Sequence, residues 1–224
     1  MRRLVILRPE PGARATIESA KAMGLEVIAM TLFAIEAVNW QAPEASGFDG
    51  LLLTSANAVR QAGDKLQALR GLRVYAVGEA TAEAAREAGF DIAGNGEAGV
   101  ERLLGSIDGD LKLLHLCGEH RTTVDAQQTI TAVPVYRSAE LPPPDGLAQV
   151  SGQTVAVHSP RAGQRLAKLV DQAGVDRGTV RIAAISDAAA AATGSGWARC
   201  EAAERPDDRT LLALAARLCD YSRQ

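Results

Sequence analysis

The chain has 224 residues, of which 47% are hydrophobic, and its formal net charge at pH 7 is −3. This length and composition suit one large or two small globular domains with a core. The acidic balance and the scattered basic residues give no reason to expect a nucleic-acid partner, and no apolar run approaches the roughly 20 residues that span a bilayer.

The cysteines and the first residues indicate the cellular compartment in which the protein is expected. Cys117, Cys200 and Cys219 are odd in number and far apart, which is typical of thiols in a reducing cytoplasm rather than of a disulfide framework. The opening MRRLVILRPEPG has too short an apolar stretch for a secretory signal peptide. We therefore expect a cytoplasmic protein without a membrane partner.

The N-terminal region predicts a β-α-β unit followed by further extended chain. A helix that begins at Pro11 and Gly12 and ends at Gly24 separates the first two predicted strands. The apolar or extended runs that predict strands are Leu4–Leu7, Glu26–Leu32, Phe33–Trp40 and Gly50–Leu53.

Two segments of the chain, 51–89 and 155–196, repeat one pattern. Each has an apolar run, a small polar turn, a helix-period segment, a second apolar run and an Ala-rich segment. The turns are Thr54-Ser55-Ala56-Asn57-Ala58 and His158-Ser159-Pro160-Arg161-Ala162. The repeat predicts two similar three-layer α/β/α domains with parallel sheets. A cleft lined by the strand-end turns of both domains would be the place for a ligand.

The remaining segments complete this organisation. We expect a Gly-rich connection over 91–99, a short helix over 100–107, a strand over Lys112–Cys117 and an extended segment over Ala132–Ser138. Pro134 favours an edge or linker strand. Pro206-Asp207 precedes a last helix of helical apolar spacing.

The order of these elements predicts the domain boundaries. The first β-α-β unit precedes the first repeat copy and the last helix follows the second copy, so the two chain ends must complete one domain. We expect residues 1–35 and 138–224 to form that domain and 38–133 to form the other, with linkers near 33–40 and 132–138 that pair as a two-stranded ladder.

Five short motifs occur along the chain. They are Leu7-Arg8-Pro9, Thr54-Ser55-Ala56-Asn57-Ala58-Val59 after Asp49, Val77-Gly78-Glu79-Ala80-Thr81-Ala82, Val135-Tyr136 and Ser159-Pro160-Arg161-Ala162. In this order and spacing they resemble the uroporphyrinogen-III synthase family over most of the chain. The chain departs from the family pattern at Ser186, where glycine is usual, at Ala188 and Ala189, where a threonine pair is common, and in the shorter segment between Gly118 and Val133.

The resemblance implies a lyase of tetrapyrrole (haem-type) biosynthesis. Such an enzyme closes hydroxymethylbilane, a linear tetrapyrrole, into the macrocycle uroporphyrinogen III with loss of water and inversion of the last pyrrole ring. The family uses no metal or organic cofactor. The resemblance implies a monomer with this small-molecule substrate, and it leaves open a transient contact with the preceding enzyme of the pathway.

The implied substrate carries eight carboxylates, which an acidic protein must hold by local devices. Strand-to-helix turns supply backbone N–H groups and a favourable helix dipole. The substrate-binding candidates in or after such turns are Thr54, Ser55, Thr81, Ser159 and Ser186, for which plain helix capping is the alternative. Arg8, Arg121 and Arg161 could bind carboxylates in bidentate fashion, although such arginines are often merely solvated.

Tyr136 is the candidate catalytic residue. Departure of the hydroxyl group requires a proton donor, and a phenol with an ordinary pKa near 10 stays protonated at neutral pH. The alternative is a half-buried linker tyrosine without a chemical role.

Three further interpretations compete with this one. Residues 94–99 match G-x-G-x-x-G, but they lie outside the first β-α-β unit, where a dinucleotide site is expected. His115, Cys117 and His120 are close in sequence, with His115 and Cys117 on one side of a strand, yet a metal would need more ligands. The chain could also be a non-enzymatic two-domain binder or sensor, since fold alone does not fix function.

Overall fold

The computed structural model describes residues 3–96, 99–121 and 124–220. The chain divides into two compact units: unit 1 comprises 1–34 and 140–224, and unit 2 comprises 35–139. The chain therefore leaves unit 1 once and returns to it once. Within the described residues, no helix is long and apolar enough to cross a bilayer.

The described residues form eleven strands and seven α-helices. The strands are β1 (Arg3–Ile6), β2 (Glu26–Ala29), β3 (Phe33–Ala37), β4 (Gly50–Leu53), β5 (Arg73–Ala76), β6 (Ile92–Asn95), β7 (Lys112–Gly118), β8 (Thr129–Glu140), β9 (Thr154–Val157), β10 (Arg181–Ala184) and β11 (Arg199–Ala202). The helices are α1 (Gly12–Ala22), α2 (Ala56–Ala62), α3 (Glu79–Glu87), α4 (Val100–Leu104), α5 (Pro160–Gln172), α6 (Asp187–Ala192) and α7 (Asp208–Asp220). Short 3₁₀ turns supplement them.

Unit 1 is built on a five-stranded sheet in the order β11-β10-β9-β1-β2. All of its neighbouring strands run parallel. Along β1 the side chains alternate between two apolar clusters: Val5 belongs to one, and Leu4 and Ile6 belong to the other. Because alternate residues of a strand face opposite sides, both faces of this sheet are buried, as a parallel sheet requires.

Unit 2 contains a six-stranded sheet in the order β3-β8-β7-β4-β5-β6. Strands β8, β7, β4, β5 and β6 run parallel to their neighbours. Leu51 and Leu53 pack into one apolar cluster and Leu52 into another, so this sheet is also buried on both faces. The two sheets with their helices confirm the predicted α/β class with parallel sheets.

One prediction within unit 2 is wrong in part. Pro134 does not lie on an edge strand, because β8 has β3 on one side and β7 on the other. Proline lacks the N–H that a ladder needs, and the ladder between β7 and β8 is irregular next to it: the register shifts between Cys117 and Gly118, directly after the Cys117–Pro134 pair. The irregular register is what lets an interior strand carry this proline.

Two strands were not expected from the sequence. β6 lies inside the segment 91–99, predicted as a connection, and β11 follows the second repeat copy. Both are four-residue strands at the edge of a sheet. A short edge strand needs little apolar sequence, because only one of its sides is paired.

Three serines begin helices at the ends of buried strands. Ser55, Ser159 and Ser186 are the N-cap residues of α2, α5 and α6, and each side chain accepts a hydrogen bond from a backbone N–H in the first turn, at 3.2, 3.2 and 3.3 Å. Helix capping therefore accounts for one acceptor site of each hydroxyl.

Candidate functional site

A cavity of about 310 Å³ lies in unit 2 at the carboxyl ends of its parallel strands. Its walls come from the turn after β4, the turn after β5, the end of β7 and the loop that follows, and β8. The lining residues are Thr54, Ser55, Val77, Val100, His115, Cys117, Gly118, His120, Arg121, Val124 and Tyr136. Four of the residues predicted for substrate binding or catalysis are thus brought together here: Thr54, Ser55, Arg121 and Tyr136.

Thr54 and His115 form a polar pair in the wall of this cavity. The threonine hydroxyl lies 3.0 Å from Nε2 of His115, which extends from the neighbouring strand β7. Burial, together with the positive charge of Arg121, lowers the pKa of His115 from 6.5 to about 4. The imidazole is therefore neutral at physiological pH, and it holds the Thr54 side chain without adding charge to the cavity.

Cys117 and Arg121 form a second pair. Burial raises the pKa of the Cys117 thiol, and the hydrogen bond and charge of Arg121 only partly offset this effect. The thiol is thus protonated at neutral pH and is a poor nucleophile. Arg121 itself is exposed, so its guanidinium supplies a positive charge at the cavity that a carboxylate can reach.

Tyr136 lies half-buried on β8, with its ring against the backbone of Gly118. A Cβ atom at residue 118 would lie 2.9 Å from both Cε2 and Cζ of the ring and 3.1 Å from the phenol oxygen. Glycine is needed there for the ring to sit at this depth. The backbone of Tyr136 is fixed as well, since its carbonyl accepts a 2.9 Å hydrogen bond from the N–H of Glu119. Its phenol oxygen has no hydrogen-bond partner among the residues described.

Thr81 differs from the other candidates of unit 2. It lies in the first turn of α3, its side chain is 5% exposed, and it is not part of the cavity wall. Its backbone N–H already donates to the carbonyl of Gly78 at 3.0 Å. The turn before α3 reaches the cavity through Val77 instead.

The candidates of unit 1 lie at the carboxyl ends of its own sheet. Ser159 and Ser186 follow β9 and β10 and cap the helices described above. Arg161 stacks on the ring of Phe33, with its Cζ atom 4.9 Å from the ring centre. This arrangement is a cation–π contact, so part of the Arg161 side chain packs on the protein.

Arg8 follows β1 and takes part in a polar cluster that sequence reasoning missed. Its Nη1 atom donates to both carboxylate oxygens of Asp208 at 3.1 Å and to Thr16 Oγ1 at 3.2 Å. Thr16 in turn donates to Oδ2 of Asp208, and Nε2 of His158 lies 3.1 Å from Oδ1. Burial alone would raise the pKa of Asp208, but the hydrogen bonds from His158 and Thr16 and the charges of His158 and Arg8 outweigh it and lower the pKa.

The signal for these missed residues lies in the repeat itself. His158 stands in the second copy where Thr54 stands in the first, directly before the capping serine. Each of the two residues contacts a side chain from a distant element, His115 for Thr54 and Asp208 for His158. Aligning the two copies would have marked both positions, but not their partners.

The alternative sites receive no support from the geometry. Among the residues described, no group of three or more His, Cys, Asp and Glu side chains could hold a metal ion. The Gly-rich motif begins in the edge strand β6 and ends at Gly99, the residue before α4, while Glu97 and Ala98 lie outside the described residues. It is therefore not at the centre of a doubly wound sheet, where a dinucleotide binds.

A sequence model of the family described as uroporphyrinogen-III synthase HemD matches residues 14–213 of the chain. Comparison with curated proteins gave no match. The matched range includes every candidate residue described above except Arg8.

Two solved structures share the fold. The uroporphyrinogen-III synthetase of Helicobacter pylori is 18% identical with a TM-score of 0.66, and the match covers 97% of this chain and 100% of that one. A mutant uroporphyrinogen-III synthase of the extremely thermophilic bacterium Thermus thermophilus is 17% identical with a TM-score of 0.58, over 100% of both chains.

Proposed function

Because the chain belongs to the uroporphyrinogen-III synthase family, we propose that the cavity of unit 2 binds part of the substrate and that Tyr136 is its proton donor. As a member of this family the protein is a cyclising lyase of haem-type tetrapyrrole biosynthesis. It closes hydroxymethylbilane to uroporphyrinogen III, with loss of water and inversion of the last ring. The family thereby favours the enzyme over a non-enzymatic binder.

The observation that carries this proposal is the phenol of Tyr136 in a cavity that also holds a positive charge. The phenol oxygen is unpartnered among the described residues, and Arg121 lines the same cavity. A substrate carboxylate that pairs with Arg121 would hold the linear tetrapyrrole beside the phenol. Charge-assisted, bidentate contacts of this kind supply both affinity and orientation.

The phenol would act when the C–O bond of the hydroxymethyl group breaks. Its proton passes to the leaving oxygen, which departs as water and leaves an azafulvene cation on the pyrrole. The carboxylates of the substrate stabilise that cation. Closure at the substituted carbon of the last ring requires the chain to be held in one conformation, which is the main task left to the protein.

The neutral pair of Thr54 and His115 supports this assignment. With His115 uncharged, Arg121 is the one arginine or lysine that lines the cavity among the described residues. Ser55 adds a hydroxyl group that can donate to a carboxylate, since its capping bond uses only an acceptor site. Thr54 can do the same in the tautomer of His115 whose Nε2 donates to the threonine oxygen. We propose both as substrate-binding residues.

We propose Arg8, Ser159, Arg161 and Ser186 of unit 1 as substrate-binding residues. We propose that Thr81 of unit 2 contributes through the N-terminal turn of its helix and not through its buried hydroxyl. The serines cap helices whose first-turn N–H groups favour an anion. Arg161 presents a guanidinium stiffened by its contact with Phe33. Ser186 and the alanines at 188 and 189 leave this turn with one hydroxyl fewer than the usual threonine pair would give.

We propose further that the protein is a cytoplasmic monomer that needs no cofactor and that the two compact units are its two domains. We also propose a transient contact with the preceding enzyme of the pathway. The absence of disulfides among the described residues supports a reducing compartment. Sedimentation of the purified chain over a range of concentrations tests the monomer, and a second, heavier species would contradict it.

The activity is tested by incubating the purified protein with hydroxymethylbilane and separating the product isomers. We expect uroporphyrinogen III in excess over the uninverted isomer, which forms without a catalyst. An isomer ratio equal to that of a protein-free control would contradict the enzyme and leave a binding protein.

A further inference from the structure

In the cluster around Asp208, one edge of the Arg8 guanidinium is not used for hydrogen bonds to the described residues. Asp208 and Thr16 engage Nη1 alone. The Nε and Nη2 atoms of Arg8 make no hydrogen bond to any residue in the described part of the chain. These two nitrogens form one of the planar two-donor edges with which arginine binds a carboxylate, and the Arg8 side chain is 38% exposed.

We propose that Asp208 is a positioning residue that fixes Arg8 so that its Nε/Nη2 edge faces a carboxylate of the substrate. The inference rests on the proposed role of Arg8 in substrate binding. An arginine side chain has several rotatable bonds, and holding it in one geometry before the substrate arrives removes part of the entropic cost of binding. The donors from Thr16 and His158 hold Asp208 itself in place.

The charges of the cluster are consistent with a positioning role. The lowered pKa of Asp208 keeps its carboxylate ionised at neutral pH, so it accepts hydrogen bonds from all three neighbours. Asp208 and Arg8 are 31% and 38% exposed as side chains, which places their ion pair at the border of the solvent. At this position the ion pair orients the Arg8 side chain and adds little to the free energy of unfolding, because half-exposed ion pairs contribute little to folding.

Gly12 supplies a second, independent constraint on the same guanidinium. A Cβ atom at residue 12 would meet Nε of Arg8 first, and it would lie 2.8 Å from Cζ and 3.1 Å from Nη2. The first residue of α1 is thus a glycine against which the guanidinium packs. An alanine there would displace the guanidinium at little cost to the fold, because the atoms it meets are the far end of a flexible side chain.

The test is a double-mutant cycle on kcat/KM for hydroxymethylbilane with Arg8→Ala, Asp208→Asn and the double variant. Loss of one charge-assisted contact predicts about a tenfold lower kcat/KM for Arg8→Ala. Asp208→Asn should lower kcat/KM by several-fold in the otherwise native chain, and it should have no further effect when Arg8 is already alanine. Arg3→Gln is the matched control, since Arg3 forms an exposed ion pair with Glu26 at the opposite end of β1 and should leave kcat/KM unchanged.

Gly12→Ala provides a second measurement that changes no charged group. We expect it to lower kcat/KM while the melting temperature stays close to that of the wild type. If Asp208→Asn lowers kcat/KM by the same factor with and without Arg8, Asp208 is structural and the inference is wrong. If Arg8→Ala has no effect, Arg8 binds no carboxylate and the inference falls with it, while formation of uroporphyrinogen III by the wild type would still support the enzyme.

Discussion

The hydroxyl oxygen of Thr54 lies 3.0 Å from Nε2 of His115, at the junction of two neighbouring strands in unit 2. The two residues are 61 positions apart in sequence. Because this imidazole is buried and close to Arg121, its pKa falls to about 4. Protonation of His115 in the cavity wall therefore makes the stability of the fold depend on pH.

Folding stability should depend on His115 between about pH 6.5 and pH 4. In the unfolded chain the imidazole takes up a proton near pH 6.5, whereas in the folded chain it does so only near pH 4. Stability is thus complete above pH 6.5 and falls with decreasing pH, by about 1.4 kcal/mol per unit at most. Urea unfolding measures this loss at pH 7.5 and pH 4.5. Between these two pH values the wild type should lose roughly 2–3 kcal/mol more of its free energy of unfolding than His115→Asn does.

The control for that measurement is Gln67→Asn, which changes an exposed side chain that does not titrate and is not part of the cavity wall. We expect its pH-dependent loss of stability to equal that of the wild type. A His115→Asn variant that loses as much stability as the wild type between the two pH values would contradict the buried, neutral imidazole.

Arg121→Gln should weaken substrate binding. Loss of one charge-assisted contact is worth about 1.5–3 kcal/mol, which predicts at least a tenfold higher KM or lower kcat/KM for hydroxymethylbilane. It should also raise the pKa of His115, because the Arg121 charge is one of the two causes that lower it. Steady-state kinetics and an NMR titration of the His115 ring measure the two effects.

The matched control is Arg60→Gln, an exposed arginine of α2 that is not part of the cavity wall. It should leave both KM and the His115 titration unchanged. If Arg121→Gln behaves like this control, backbone N–H groups bind the carboxylates and the role assigned to Arg121 is wrong.

Gly118→Ala should displace the ring of Tyr136. The added Cβ atom would approach two ring carbons to 2.9 Å, so the ring must move or the strand must shift. Such overpacking typically costs about 1–3 kcal/mol of stability. We expect kcat to fall while the protein remains folded, and Gly47→Ala, where no atom lies within 4 Å of the new methyl group, to change neither quantity. A Gly118→Ala variant with native kcat would show that the position of the ring is unimportant.

Chelation should leave the activity unchanged. The steps assigned to the protein use a phenol as proton donor and a guanidinium as anion site, and neither needs a metal ion. Dialysis against EDTA should therefore preserve both kcat and the isomer ratio. Loss of activity that added zinc restores would instead assign a metal to His115, Cys117 and His120.

The sequence predicted those parts of the fold that depend on local pattern. Gly50–Leu53 is predicted correctly as a buried strand because a short, continuous apolar run suits a parallel sheet covered on both faces. The last helix begins directly after Pro206-Asp207, as predicted, and the Asp207 carboxylate accepts a hydrogen bond from the N–H of Thr210 at 2.8 Å. The edge strands β6 and β11 were not predicted, because short edge strands contain few apolar residues.

The contacts of the candidate site were less accessible to sequence reasoning. The residues that line the cavity could be chosen by type and by their place at strand ends, as with Thr54 and Tyr136. Their partners could not, because Arg8 and Asp208 are 200 positions apart and no local pattern joins them. Thr81 was chosen from its motif, but its position on the buried side of α3 depends on packing that the motif does not encode.

The most direct test of Tyr136 as the proton donor is the activity of Tyr136→Phe, measured as kcat, KM and the ratio of product isomers. The variant removes one hydroxyl and keeps the ring, and Tyr75→Phe is the control, a tyrosine of the same sheet outside the cavity. Loss of a general acid lowers rates by roughly 10²–10⁴-fold, and water entering from the solvent would bring this to the low end. We predict a kcat about a hundredfold lower, a nearly unchanged KM and more of the uninverted isomer for Tyr136→Phe, with native values for Tyr75→Phe. A Tyr136→Phe enzyme with native kcat and isomer ratio would contradict the role of the phenol.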